Sequence, residues 1–238
     1  MLTVASQAQP PLPEHEIKLV TPAARADLVT AWLAGRCRPD PRHPRSLVTS
    51  IYFDNRAALL LRAKLNSDFI KHKVRLRWYA DPDTGVVEEP AFLEIKRKIG
   101  GRRFKRRIAL RPGSAALAAG RPPASRLRAL LACLRAEGHW AEADLQPFLR
   151  IAFRRRRFLD PDSGSRVSLD RDIRADCINP GLLPQRHPAP LAHAVIEVKG
   201  ARGVLPASLM PLRALGCVPA SFSKYARAYQ KVARRSSF

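Results

Sequence analysis

The sequence predicts an α+β fold: a mostly antiparallel sheet that curls into a closed β-barrel, with helices flanking it. Three observations predict this. Runs of β-branched and aromatic residues recur along the 238 residues, joined by short Gly-, Asp- and Pro-containing turns. Within these runs charged and apolar side chains alternate with period two. No repeat period and no long linker divides the chain, so one domain is expected over residues 14–234, with a disordered lead at 1–13 and a frayed tail at 235–238.

In chain order, His15 to Val20 reads as a short strand. Thr21-Pro22 then reads as a helix start, with Thr as N-cap and Pro in the first turn, and Gly35 as the stop after Ala34. Residues 36–45, RCRPDPRHPR, form a Pro-stiffened loop. SLVTSIYFDN is a strand ending at Asp54-Asn55, followed by a helical piece over 57–64. Strands at 71–80, 91–98 and 102–110, with turns at DPDTG and Ile99-Gly100-Gly101, make a meander. A Pro- and Ala-rich helical region is expected over 113–146. Strands resume at 149–160, 165–175 and 193–200, and helices close the chain at 205–215 and 222–234.

Composition limits the function. Lys and Arg number 43 against 20 Asp and Glu, a formal charge of +23, which implies an anionic partner. Hydrophobic residues reach 46 %, which excludes global disorder. No apolar run approaches the roughly 20 residues of a membrane span. The first residues lack a basic segment followed by an apolar core, so no secretory signal is expected. Cys37, Cys133, Cys177 and Cys217 are isolated, which argues against zinc or a disulfide framework and for buried thiols in a reducing cytoplasm. No zinc-finger, helix-turn-helix or RNP pattern suggests specific nucleic-acid binding.

The strand alternation says more. Lys73, Arg75 and Arg77 share a face opposite Val74, Leu76 and Trp78; Glu94, Lys96 and Lys98 oppose Leu93 and Ile95; Arg103, Lys105 and Arg107 oppose Phe104 and Ile108. Arg166, Ser168 and Asp170 oppose Val167 and Leu169; Glu197 and Lys199 oppose Ile196 and Val198; Glu14, Glu16 and Lys18 oppose His15, Ile17 and Leu19. A solvated face rarely repeats so many bases, because like charges across strands destabilise a sheet. If the sheet closes with its apolar face outward, these bases, with Arg155, line a lumen beside Glu14, Glu16, Glu94 and Glu197. Arg forks pair with phosphate oxygens, and carboxylates beside phosphate suit Mg²⁺ or Mn²⁺.

These residues carry a family resemblance. Glu14-His15-Glu16-Ile17-Lys18 resembles the ExExK signature of the triphosphate tunnel metalloenzymes, a CYTH-like superfamily. TSIYFDN, KVRLRWY, FLEIKRK, FKRR, RVSLD, VIEVKG and SFSKYA, in this order, resemble the VTC-type polyphosphate polymerase domain over residues 14 to 230. The resemblance implies a closed triphosphate tunnel fold and transfer of the ATP γ-phosphoryl group to a growing inorganic polyphosphate chain with Mn²⁺ or Mg²⁺. Carried over by position, it implies catalytic roles for Arg75, Arg77, Lys96 and Lys199. Phosphate-binding roles fall to Lys18, Lys105, Arg155, Arg166 and Lys224, and metal-binding roles to Glu197, with Glu14 and Glu16 as helpers. One departure is Phe153, where similar members often carry Tyr. In the run Arg154 to Arg157 the register is open: Arg155 is the inward choice and Arg154 the alternative. The expected partners are ATP and polyphosphate. The expected location is cytoplasmic, with association to the inner membrane face through a separate membrane protein as an option. A triphosphatase on the same fold and a catalytically silent polyphosphate-binding module are the alternative functions.

Overall fold

The computed structural model describes residues 15–100, 102–110, 145–177, 179 and 189–233, with single helical positions at 129 and 132. The expected lead and tail, Glu14, and nearly all of the helical region expected over 113–146 lie outside the described residues. The strands are β1 (His15–Pro22), β2 (Arg38–Pro39), β3 (Arg45–Asp54), β4 (Ile70–Ala80), β5 (Val87–Ile99), β6 (Arg102–Leu110), β7 (Gln146–Leu159), β8 (Arg166–Cys177), β9 (Ala189–Pro190), β10 (His193–Gly200) and β11 (Val218–Pro219). The helices are α1 (Ala26–Arg36), α2 (Leu59–Leu65) and α3 (Lys224–Ala233).

All the strands join one sheet in the order β11-β1-β10-β8-β7-β3-β4-β5-β6, with β2 on β7 and β9 on β8, and every pairing is antiparallel. The closed barrel expected from the sequence does not form: among the described residues β6 and β11 remain the unjoined ends of the ladder. The physical reason lies in those ends. Residues 102–107 of β6 are all exposed and five of them are basic, and such a charged edge resists further pairing. At the other end β11 is two residues long and pairs only with Leu19 and Val20.

Two helical expectations are also corrected. β1 continues through Thr21 and Pro22, which pair with Ala194 and His193, so ladder pairing overrides the local cap signal. The helix begins only after a 3-10 turn (Ala23–Arg25) and passes through Gly35 to Arg36. The segment expected as a helix over 205–215 is a 3-10 turn (Ala207–Arg213), with Pro206 before it and Pro211 inside it.

The apolar sides of the strands face outward as expected. Leu19, Val167, Leu169, Ile196 and Val198 pack with Val29 and Leu33 of α1. Ile51, Phe53, Val74, Leu76, Trp78 and Leu93 form a second layer with Leu60 of α2. A third cluster lies on the opposite, concave side. Tyr225, Ala228 and Val232, spaced along one face of α3, pack on Val48, Tyr52, Phe148, Leu149, Ile151, Phe153 and Val195. The Tyr225 ring stacks on Tyr52 at 4.5 Å, and its hydroxyl donates to Asp54 at 2.7 Å. Asp54 is fully buried and also accepts from the backbone N–H groups of Leu60 and Leu61, so one carboxylate ties α3 to the start of α2. Cys37 and Cys217 are buried free thiols.

Candidate functional site

The curl of the sheet can be read from two lysines. Lys18 on β1 and Lys73 on β4 are five ladder steps apart, which in a flat sheet is about 24 Å. Yet Lys18 donates to the Phe222 carbonyl at 3.3 Å and Lys73 to the neighbouring Ser223 hydroxyl at 3.1 Å. The sheet therefore wraps around the 221–224 segment that leads into α3. A cavity of about 490 Å³ remains on the concave side, walled by β1, α2, β4, β5, β6 and residues 220–223. Nine basic residues line it, among them Lys18, Lys73, Lys96, Lys98, Arg103 and Lys105, against one carboxylate, Glu16.

Pairing register fixes how the charged side chains meet. Arg75 pairs with Tyr52 on one side and Glu94 on the other. Its guanidinium donates to Glu94 Oε2 (Nε 2.7 Å, Nη2 2.5 Å) and to the Tyr52 hydroxyl at 3.1 Å. Lys105 and Arg107 reach Glu94 Oε1 at 3.4 and 3.3 Å. Burial alone would raise the Glu94 carboxyl, but Arg75, Arg77 and Lys105 hold it well below the carboxylate range. Burial opposes ionisation of Tyr52 as well, yet Arg75, Arg77 and Lys73 bring its phenol down to about 8.

Arg77 differs from Arg75. It is 7 % exposed, its Nε donates to Ser50 Oγ at 2.9 Å, and it lies over the Phe153 ring at 5.9 Å. Among the described residues no carboxylate lies within ion-pair distance of it. Burial and then Arg75 lower its pKa. Lys96 is likewise without a carboxylate within ion-pair reach among the described residues; Arg75 first and burial second bring its ammonium down to about 6. Burial brings Lys73 to about 8. Together these groups form a concentration of positive charge that its own carboxylates do not neutralise.

A second group of charges lies across β7, β8 and β10. Arg155 donates through Nε and Nη2 to Asp170 at 2.5 and 2.6 Å and through Nη2 to Glu197 at 3.1 Å. Lys224, on the first residue of α3, is 2.5 Å from Asp170 and 3.2 Å from Glu197. Lys18 is 3.9 Å from Glu197 and 3.0 Å from Glu16, and Lys199 is 3.8 Å from Glu16. Burial would raise the Asp170 and Glu197 carboxyls, but Arg155 and Lys224 keep both lowered.

The expected residues are therefore distributed as follows. Arg75, Arg77, Lys96 and Lys105 gather around Glu94, while Lys18, Arg155, Lys199 and Lys224 gather around Glu16, Asp170 and Glu197. Arg166 is exposed, in register with Lys199. Arg155 is the inward residue of its run and Arg154 is exposed. The residue missed as a site member is Asp170, although its alternation with Val167 and Leu169 had placed it on the charged face. Phe153 also has a structural role: Arg77, Arg155 and Lys224 lie 5.9, 5.4 and 5.1 Å from its ring centroid, so its π face borders three cations.

The donor set can be tested against a divalent cation. Glu16 and Glu197 stand on adjacent strands, and the Lys18 ammonium already bridges them, so their oxygens converge on a positive charge. Two carboxylates suit Mg²⁺ or Mn²⁺ when substrate phosphate completes the shell. Among the described residues no group of three or more acidic, His or Cys side chains forms a complete protein site.

The sheet is antiparallel and curled, and its concave, arginine- and lysine-rich face lines a cavity whose charge suits a polyanion. Comparison with family models matches the VTC domain over residues 13–233, and the chain belongs to that family. Membership supports a polyphosphate-related or triphosphate-binding function and phosphotransfer or hydrolase chemistry. A solved structure from Bacillus halodurans, of a protein described as a candidate adenylate cyclase, is similar in fold: TM-score 0.51 at 12 % identity, covering 89 % of this chain and 96 % of that one. The search of curated proteins found no match. No helix among the described residues is long and apolar enough to cross a membrane. The expected membrane partner gains no support from these comparisons.

Proposed function

We propose that this chain transfers the γ-phosphoryl group of ATP to the end of a growing inorganic polyphosphate chain. The observation that carries the reading is the cavity with nine basic residues and one carboxylate. Further along β4, outside that lining, the buried Arg77 has no counter-ion among the described residues. A chain of phosphates supplies a negative charge at every unit. A terminal phosphate oxygen is already a nucleophile and needs no base.

In the transfer, the chain-end oxygen forms a bond to the γ-phosphorus, the bond from that phosphorus to the β-phosphate oxygen breaks, and ADP leaves. The protein positions the groups and stabilises the charge. Arg77 and Lys96 face the transferred group, and Arg75, held by Glu94 and Tyr52, keeps a fixed donor beside them. Lys199 neutralises the phosphate nearest Glu16. Lys18, Lys105, Arg155, Arg166 and Lys224 bind the remaining phosphates. Glu16 and Glu197 would hold Mn²⁺ or Mg²⁺, with Glu14 as a third candidate, and a bound ion would supply further charge neutralisation at the phosphates.

The test is purified protein with ATP and Mn²⁺, assayed for acid-labile phosphate polymer. Polymer that depends on Arg77 and Glu197 supports the proposal. Free phosphate without polymer assigns a triphosphatase instead, and binding without turnover assigns a silent module.

A further inference from the structure

We propose a second polyanion site on the outer face of the sheet, separate from the concave cavity, that takes a chain of inorganic phosphates. A groove of about 750 Å³ lies where β3, β7 and β8 meet the 81–85 turn. Six arginines line it, Arg45, Arg154, Arg155, Arg156, Arg171 and Arg174, with Asp83 and Asp172. The Arg155 guanidinium is held by Asp170 and Glu197 on the concave side, so five cations face two carboxylates in the groove, an excess of three positive charges.

Strand alternation puts these arginines on the side away from the cavity. Arg155 points inward to Asp170 and Glu197, so its neighbours Arg154 and Arg156 point outward. Arg156 lies over the Phe158 ring at 5.7 Å, and Phe158 belongs to the outer core beneath α1. The register shifts between Ala152 and Arg154, opposite the stretch of β8 where Asp172 has φ of +52°. At this irregularity Arg171 pairs with Asp27 of α1 and with Asp172.

The counter-ions are unevenly shared. Arg45 is tied to Asp83, and Arg171 to Asp27 and Asp172. Among the described residues, Arg154, Arg156 and Arg174 have no carboxylate within ion-pair distance. All five bases are arginines, whose planar forks match phosphate oxygens two at a time. Among the described residues the one aromatic at the groove, Phe153, is buried with its ring toward Arg77, Arg155 and Lys224 on the concave side, so none of them offers a nucleobase an exposed stacking surface there. The lining therefore favours a bare phosphate chain over single-stranded nucleic acid.

The test is calorimetric titration of the full chain with inorganic tripolyphosphate, without ATP or metal. It does not depend on turnover in the cavity. The wild type is expected to bind about two equivalents, both weakened by salt. The triple variant Arg154→Gln/Arg156→Gln/Arg174→Gln is expected to keep one equivalent, together with an unchanged circular dichroism spectrum. Arg77→Met is expected to lose the other. A single equivalent in the wild type, or two equivalents surviving in the triple variant, overturns the outer site. Displacement of the outer equivalent by single-stranded DNA at the same concentration as by polyphosphate overturns the phosphate-chain assignment. Loss of the cavity equivalent alone bears on the proposed function and leaves the outer site standing.

Discussion

Replacing Arg77 by Met separates what the site does for binding from what it does for stability. The guanidinium is 7 % exposed and keeps one side-chain hydrogen bond, to Ser50. A buried cation without a counter-ion contributes little to the fold, so a Met of similar length should leave the free protein's unfolding midpoint unchanged or raise it slightly. An anion bound beside Arg77 gains charge-assisted hydrogen bonds of about 1.5–3 kcal/mol each. Losing about 3 kcal/mol weakens binding by roughly two decades. Tripolyphosphate at 100 times its dissociation constant stabilises the wild type by about 2.7 kcal/mol, which for a chain of this size raises the midpoint by roughly 5–10 °C. At the same concentration the variant gains only about 0.4 kcal/mol, a shift of about 1 °C. Thermal unfolding with and without the ligand reads both effects. A variant that melts several degrees lower when free, yet keeps the full ligand shift, would refute the reasoning, because Arg77 would then be a structural cation.

Three further outcomes follow from other residues. Glu94, Asp170 and Glu197 have carboxyls held below their unfolded values, so the unfolded chain binds more protons over that interval and stability rises with pH there. Their contribution is complete above about pH 4.5 and is lost as pH falls toward the folded values; a urea midpoint that stays flat from pH 5 to pH 2 would contradict this. Lys224→Met removes a cation from buried Asp170 and should cost about 2–4 kcal/mol in urea unfolding, whereas a cost below about 0.5 kcal/mol would show that Arg155 alone suffices. The lowered ammonium values of Lys96, about 6, and Lys73, about 8, mean that a bound phosphate chain draws protons onto them. Affinity should therefore fall as pH rises from 6 to 9, with proton uptake measurable by calorimetry in two buffers of different ionisation enthalpy. Equal heats in both buffers would exclude that coupling.

The strands were legible because alternation is a local property. Val74, Leu76 and Trp78 are buried on the outer side, and Arg75 and Arg77 turn inward, as period two requires. The end of β1 was not legible, because the pairing of Thr21 with Ala194 is a contact 173 residues away in sequence that outweighs a local cap signal. Closure was not legible either: the charged face argues for enclosure, but hydrogen bonding between β6 and the β11 edge depends on strand length and edge charge. Enclosure comes instead from the 221–224 segment, which Lys18 and Lys73 grip from opposite sides. The Asp170 carboxylate was visible on the charged face, but its partners Arg155 and Lys224 come from β7 and α3, and only the fold brings them together.

The most direct test of the central claim is a crystal structure of the full chain with tripolyphosphate. The account predicts phosphate density in the concave cavity, within hydrogen-bond distance of Arg77 and Lys96. A complex with that cavity empty and Arg77 still bound only to Ser50, at a concentration that saturates the protein in solution, would contradict it.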